Sequence, residues 1–402
     1  MRFIHISDLH FNPDNDGRTS RELRESLPEY LRKLNVPVDD LLITGDFRHA
    51  KYQSDGQKDI DAVVEYIKLI AKAVKINDLN HIHVVPGNHD RNRLNSARDL
   101  NSIRKKYDSQ KGLFQQTDLE LLLQSFKYFD DVCTTLYGEN HYWRNAKVHT
   151  YRVISGTVFV YLNTAIMHGS DKDRGRLIIG NDYLDLILRE IQETYPQYPI
   201  VVLAHHSPDF FEKHEKEAVE HILSKNPKVL LYLCGDAHEA WPRVVNNHLE
   251  ATAGCLVQEK KVEPTFLYGD TNTNTYIAHH WARAWEPYAA INNEIQVLLS
   301  KSQLGVGFLD IHPHNSRAFS LRSLKSMLMG SAQAGFCWVD ELIDAEHRGV
   351  EIQDSVHQGI ACVTFKDDED FLKSVLPNEL FSYLKDMIGK QPNNENALQD
   401  VL

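Results

Sequence analysis

This 402-residue chain has few cysteines, no excess of positive charge and no long apolar run. The five cysteines, Cys133, Cys234, Cys255, Cys337 and Cys362, are odd in number and form no C-x-x-C pair. That excludes a disulfide framework and a thiolate zinc knot, and fits free thiols in a reducing compartment. Lys and Arg total 44 against 56 Asp and Glu, a net charge of −12. The balance argues against broad electrostatic binding to nucleic acid, although bound cations and local groups such as Arg18, Arg21 and Arg24, or Arg91, Arg93 and Arg98, can invert the field nearby. No apolar run approaches the ~20 residues that span a bilayer. Asp8 follows the start too closely for a signal peptide. Internal repeats and low-complexity tracts are also absent. The expectation is a soluble cytoplasmic protein. Its 42% hydrophobic and 25% charged residues are ordinary for a globular chain of one large domain with an appendage, or two medium domains.

What is present is an alternation of apolar runs and helical periodicity. Short strands are expected at Phe3 to Ile6, Leu41 to Thr44 and Ile82 to Val85. A helix from about Ser20 to Leu34 follows the first, with Pro28 as a kink or boundary. An amphipathic helix over Asp59 to Val74 puts Ile60, Val63, Val64, Ile67, Ile70 and Val74 on one face. Two β-α-β units imply a mainly parallel sheet. Residues 93–147 read as a mostly helical insertion, in which Leu119 to Leu123 form core or an interface. Val148 to Ile154 and Thr157 to Asn163, around Ser155-Gly156, predict a hairpin. Helices from Asp182 to Ile191 and Glu212 to Leu223 precede strands at Ile200 to Ala204 and Val229 to Leu233. Strands are also expected at Arg243 to Val245 and Gly305 to Ile311. The polar-aromatic stretch Tyr268 to Pro287 has no clear period. Domain boundaries are placed at 1–322, a small α+β appendage at 323–388 and a flexible tail at 389–402.

Four strand ends carry metal-type donors: Ser7-Asp8-Leu9-His10, Thr44-Gly45-Asp46-Phe47, Pro86-Gly87-Asn88-His89-Asp90 and Cys234-Gly235-Asp236-Ala237-His238. In an open α/β sheet, ligands bind in the crevice beyond the carboxyl ends of the strands. Mixed oxygen and imidazole donors without thiolates suit manganese, iron or zinc better than calcium. Two divalent ions about 3.5–4 Å apart can clamp a phosphoryl group and steady both attacking and leaving oxygens. Such a centre needs a bridging carboxylate, and Asp46 is the natural one. Taken singly, each segment is as easily a turn; together and in order they point to one site.

The order D-x-H, G-D, G-N-H-D, a histidine near Ser207-Pro208 and G-x-x-H resembles the calcineurin-like metallophosphoesterase family, over roughly residues 1 to 320. The resemblance implies a four-layer α/β-β-α sandwich with two metals at the strand ends, Mn2+ foremost and Fe, Zn or Mg as alternatives. By it, Asp8, His10, Asp46 and His238 hold one ion. Asp46, Asn88, a histidine of the His205-His206 pair and Asp236 hold the other. A metal-bridging hydroxide would attack phosphorus in line, His89 would protonate the leaving oxygen or stabilise the transition state, and Asp90 would orient His89. His205 is the simpler ligand, directly after its strand, with His206 lining the substrate pocket; the reverse assignment also fits. Arg48 and Arg91 are candidates for binding substrate phosphate.

This chain departs from the family pattern twice. Gly235-Asp236-Ala237-His238 stands where G-H-x-H is usual, making the second site harder and more negative, or leaving it weak or empty. The acidic residue expected soon after G-D is missing, and the chain reads Phe47-Arg48-His49-Ala50. The leading expectation is a metallophosphoesterase acting on phosphodiesters, with nucleotide or nucleic acid as substrate classes. The alternatives are a nuclease, and a non-catalytic scaffold of this fold that binds a protein through its C-terminal appendage. Homodimerisation is a further expected association. His279 and His280 are expected to pack with Trp281, and His312 and His314 to form a turn.

Overall fold

The computed structural model describes residues 1–11, 18–49, 56–92, 96–107, 112–169, 173–238, 240, 242–245, 248–257, 264–272, 275–281, 284–287, 295–299, 307–311, 350–355 and 360–365. These divide into two compact units, one of Met1–Ala240, Ala251–Leu267 and Trp281–Trp285, the other of Trp241–Glu250, Tyr268–His280 and Glu286–Leu402. Arg93, His312, His314, most of 323–388 and all of 389–402 lie outside the described residues.

In the first unit the chain runs β1 (Arg2–Ile6), α1 (Arg18–Leu34), β2 (Asp40–Ile43), α2 (Gln57–Ala73) and β3 (Ile82–Val84). The strands pair in parallel, Phe3 opposite Asp40 and Leu41 opposite Ile82. Their residues are buried on both faces almost throughout, as parallel strands covered by crossover helices must be. The helical insertion follows as α3 (Ser96–Lys106), α4 (Gln116–Gln124) and α5 (Lys127–Tyr137). Leu119 and Leu122 are core, whereas Leu121 is exposed.

A second sheet is built from β4 (Thr150–Ile154), β5 (Thr157–Tyr161), α6 (Asn181–Thr194), β6 (Ile200–Leu203), α7 (Lys213–Ser224) and β7 (Val229–Cys234). β4 and β5 form the expected hairpin, with Ser155 and Gly156 both at positive φ, the geometry of a two-residue turn that matches strand twist. β5, β6 and β7 then run parallel. Val158, Val160, Val202 and Tyr232 pack under Leu184, Leu188 and Ile191 of α6 and Val219 and Leu223 of α7. The two sheets meet through a buried polar seam. Asp40 accepts from Nε2 of His83 at 3.0 Å, so Nδ1 of that ring accepts the Tyr161 hydroxyl at 2.7 Å. The His83 ring also stacks on Phe159 at 3.9 Å. Burial lowers the His83 pKa, with Asp40 acting in the opposite sense. Two facing sheets with covering helices are the α/β sandwich that the resemblance implied.

Pro28 neither breaks nor bounds α1, which runs through it. The missing proline N–H leaves the carbonyl of Arg24 without its helical donor, and the Tyr66 hydroxyl of α2 donates to that carbonyl at 3.3 Å. A neighbouring helix thus replaces the lost bond.

The remaining strands are β8 (Pro242–Val245), β9 (His248–Thr252), β10 (Thr265–Asp270), β11 (Thr275–Trp281), β12 (Trp285–Pro287), β13 (Ile295–Leu299), β14 (Gly307–Ile311), β15 (Val350–Ser355) and β16 (Ile360–Phe365). In the second unit β13 pairs antiparallel with β11 and β14, and β15 with β16. His279 and His280 are buried within β11, inside the stretch whose period was unreadable.

Candidate metal centre

Every strand-end segment delivers its donors to one place, and the backbone is bent to do so. Asp8, His10, Asp46, Asp236 and His238 all have positive φ, between 42° and 58°, five of the eight described non-glycine residues that do. Each such conformation costs about 1–3 kcal/mol and persists only where the surroundings enforce it. The enforcing bonds are local. Asp8 N donates to Gly45 O at 3.1 Å, His10 N to Asp46 O at 2.9 Å and Asp236 N to Asp8 Oδ2 at 3.0 Å. Gly235 makes the last approach feasible, since a Cβ there would sit 1.8 Å from Ser7 Oγ.

Asp46 is the hub. Its Oδ1 accepts the His89 N–H at 2.8 Å, while its Oδ2 lies 3.3 Å from His205 Nε2, 3.8 Å from His89 Nε2 and 3.9 Å from His10 Nε2. Burial opposes ionisation of this carboxyl, but the imidazoles of His205, His89 and His10 hold its pKa well below the usual range. On one side, Asp8 Oδ1 lies 3.3 Å from His238 Nε2, and the Nε2 atoms of His10 and His238 are 3.2 Å apart. On the other, His205 Nε2 faces Asn88 Oδ1 at 2.8 Å and Asp236 Oδ1 at 3.6 Å. Burial lowers the His205 pKa, but the charges of Asp46 and Asp236 outweigh it and leave the ring well above its ordinary value.

The tautomer of His205 follows from its second nitrogen. Nδ1 donates to the Thr44 carbonyl at 2.6 Å, so a neutral ring points its Nε2 lone pair at three oxygens. A positive charge has to sit between them, as a proton or as a metal ion. The rest of the site favours the ion. Asp8 Oδ1 is buried without a hydrogen bond, and the buried Asp8 and Asp46 are gathered with the part-exposed Asp236, a concentration of carboxylates that calls for compensating positive charge. Donor atoms of Asp8, His10 and His238, and of His205, His206 and Asp236, cluster closely enough to share one ion each, with Asp8, Asp46 and His205 linking the two groups. The residues therefore fit two divalent ions.

The other expected site residues are placed differently. Asp90, expected to orient His89, has its oxygens taken by the N–H groups of Asp46, Phe47 and Gly87 at 2.8–2.9 Å. It ties the G-D turn to the G-N-H-D turn. Burial, reinforced by the Asp46 charge, pushes its pKa up to about 7. Arg48, expected at substrate phosphate, is buried, lies over the Tyr128 ring at 4.0 Å and donates Nε to the His89 carbonyl at 3.2 Å. Arg91 donates to Ser125 Oγ of the helical insertion at 2.7 Å and to the His168 carbonyl in the loop after β5. Both guanidiniums are held within the protein, because an arginine directly behind a buried turn finds carbonyls before it finds solvent. His206 lies beside His205, with Nδ1 3.0 Å from Thr164 Oγ1.

Sequence reading had not singled out His49. Its ring lies 5.3 Å from those of both His10 and His89, near the place of the missing acidic residue. Thr44 and Thr164, which hold the paired histidines, were also missed. Nothing in their spacing marks them, because each acts across a sheet edge through one oxygen.

A family model for calcineurin-like phosphoesterase matches residues 1–240. An uncharacterized metallophosphoesterase-like protein of Bacillus subtilis (strain 168), YydB, is 25% identical over 287 residues, 68% of this chain and 57% of that one. The chain thus spans little more than half the length of that relative. Among solved structures, a dimetal phosphatase from Danio rerio is 12% identical with a TM-score of 0.40, covering 69% of this chain and 95% of that one. A putative 5'-nucleotidase from Staphylococcus aureus is 14% identical with a TM-score of 0.38, covering 71% and 52%. The assignment rests on the family match, which takes in every residue of the site. The chain belongs to the calcineurin-like phosphoesterase family, and its matched residues gather the donors for a dinuclear divalent centre.

Proposed function

We propose that the protein is a phosphodiesterase that works with two Mn2+ ions, held by Asp8, His10, Asp46 and His238 on one side and by Asp46, Asn88, His205 and Asp236 on the other. The observation that carries this reading is the placement of His205, whose Nδ1 donates to the Thr44 carbonyl and whose Nε2 faces the oxygens of Asp46, Asn88 and Asp236. When bound, the ions supply Lewis acidity toward the phosphoryl oxygens and toward an attacking water. Three carboxylates and an amide make the set oxygen-rich, which favours manganese over zinc.

His89 is the acid. Its backbone is clamped at both ends, N–H to Asp46 Oδ1 and carbonyl to Arg48 Nε, while its side chain remains 18% exposed at the mouth of the site. A group so held can offer the proton on its imidazole to a leaving oxygen without first being ordered. Arg48 thereby serves the reaction through His89 and not through substrate. Phosphate-ester substrates include nucleotides and nucleic acid. Among the described residues no helix is long and apolar enough to cross a membrane, and we place the protein in the cytoplasm. The division at residue 322 and the association of copies or partners through the C-terminal part belong to the same proposal.

The test is hydrolysis of bis(p-nitrophenyl) phosphate and of its mono-ester by the manganese-loaded protein. Turnover of the bis-ester in preference to the mono-ester is expected, and His89→Ala should abolish it while keeping the bound metal. Preference for the mono-ester overturns the diesterase reading. Absence of metal and of all turnover favours the scaffold.

A further inference from the structure

We propose that His206 is itself a ligand of the second metal ion, so that this ion takes both adjacent imidazoles, and that the second histidine accompanies Asp236 at the G-D-x-H motif. The inference rests on the two-metal reading above and goes beyond it by assigning a residue to the metal.

Neighbours along an extended strand point to opposite faces, so His205 and His206 would ordinarily diverge. Here β6 ends at Leu203 and the chain bends, setting the two rings 4.7 Å apart and 77° to one another. The result is convergence on one atom. Asp236 Oδ1 lies 3.6 Å from His205 Nε2 and 3.7 Å from His206 Nε2. Two donors bound to one ion at about 2.1 Å are separated by about 3–3.5 Å, so this triad is close to the spacing of a shared ion.

His206 is 1% exposed, and its Nε2 is buried without a hydrogen bond. Burying an imidazole nitrogen with no partner is costly, and the direction it faces is the carboxylate of Asp236. The ring is also held from behind. Thr164 Oγ1 accepts the His206 backbone N–H at 2.9 Å and lies 3.0 Å from Nδ1, and the ring stacks on His168 at 5.5 Å. When Oγ1 accepts from Nδ1 as well, Nε2 is the bare nitrogen that a metal requires. A pocket residue meant for substrate would be expected nearer the surface. The second ion then has five protein donors: oxygens from Asp46, Asn88 and Asp236, and nitrogens from His205 and His206. That count suits a six-coordinate ion with one position left for water or substrate, and disfavours tetrahedral zinc.

The experiment uses the full chain loaded with 113Cd and labelled with 15N-histidine, counting imidazole nitrogens with scalar coupling to cadmium. Four are expected, from His10, His238, His205 and His206. A parallel measurement determines manganese per chain at buffered free metal for wild type, His206→Ala and His206→Gln. Both variants should fall from two ions to one, with the coupled dimanganese EPR signal replaced by that of isolated Mn2+, and added imidazole should restore the second ion to His206→Ala. Three coupled nitrogens, or two ions in His206→Gln at wild-type affinity, would overturn the assignment while leaving the two-metal phosphoesterase intact. A wild-type chain that binds no metal would overturn both.

Discussion

Gly87→Ala tests how tightly the fold holds Asp46. Gly87 has no positive φ, so alanine adds nothing but a methyl group. That Cβ would lie 2.1 Å from Asp46 Oδ1 and 2.3 Å from Asp46 N, where ordinary contact begins at 3.4 Å. The carboxylate would have to retreat by about 1.3 Å, against a tolerance of about 0.2 Å for metal–ligand distances. Moving it also loosens the bonds that join the two turns, His89 N to Asp46 Oδ1 and Gly87 N to Asp90 Oδ2. Overpacking of this kind costs about 1–3 kcal/mol of stability. Gly175→Ala is the control. It meets no atom within 4 Å but has φ +73°, and so should cost about 1–2 kcal/mol through backbone strain with no effect on metal. Denaturant melts give the stabilities, and elemental analysis after dialysis against buffered Mn2+ gives the ion count. The expected outcome is similar destabilisation in the two variants and loss of metal in Gly87→Ala alone. A Gly87→Ala protein with both ions at wild-type affinity would show that Asp46 is not the hub.

Three further outcomes follow from the buried polar groups. Burial lowers His5 and His149 to about 3, and both fold as neutral rings. Their folded pKa values lie below the unfolded value of 6.5, so the stability they contribute is present above pH 6.5 and is lost as pH falls toward 3. Each adds a slope of up to ~1.4 kcal/mol per pH unit in that window. Replacing His149 with Asn should flatten the denaturant-measured slope below pH 6 by about that amount, and an unchanged slope would refute the neutral assignment. Tyr66→Phe removes the donor to the Arg24 carbonyl and should cost about 1–2 kcal/mol. In a Pro28→Ala background the alanine N–H takes over that carbonyl, so the same change should cost at least about 1 kcal/mol less; additive costs in the cycle would sink this account of the helix. His205→Gln deprives Asp46 and Asp236 of their shared imidazole, and titration calorimetry should show the second Mn2+ lost. Retention of both ions would mean that Nε2 is not a donor.

Strands β1 to β8 and β14, most helices and the four donor segments could be read from the chain because each is local. Apolar runs of four to six residues ending in Asp, Asn or His state both the strand and where its end lies. The hairpin at Ser155-Gly156 was legible for the same reason. Pro28 does not bound the helix, one of the two roles expected of it, and the group that compensates for its missing N–H, Tyr66, is distant in sequence. The expected roles of Arg48, Arg91 and Asp90 changed on similar grounds. Spacing shows that a charged residue follows a motif, but not whether it faces substrate or the backbone of the next turn.

The sequence by itself determined the donor set, since carboxylates, an amide and imidazoles at successive strand ends in this order gather at the crest of a parallel sheet. Tertiary structure decided which nitrogen of His205 carries the lone pair, that His49 joins His10 and His89, and that His206 turns toward Asp236. These are relations between residues far apart in the chain, set by one carbonyl or hydroxyl on a neighbouring strand. No local pattern encodes them, because they exist only after the sheets have packed.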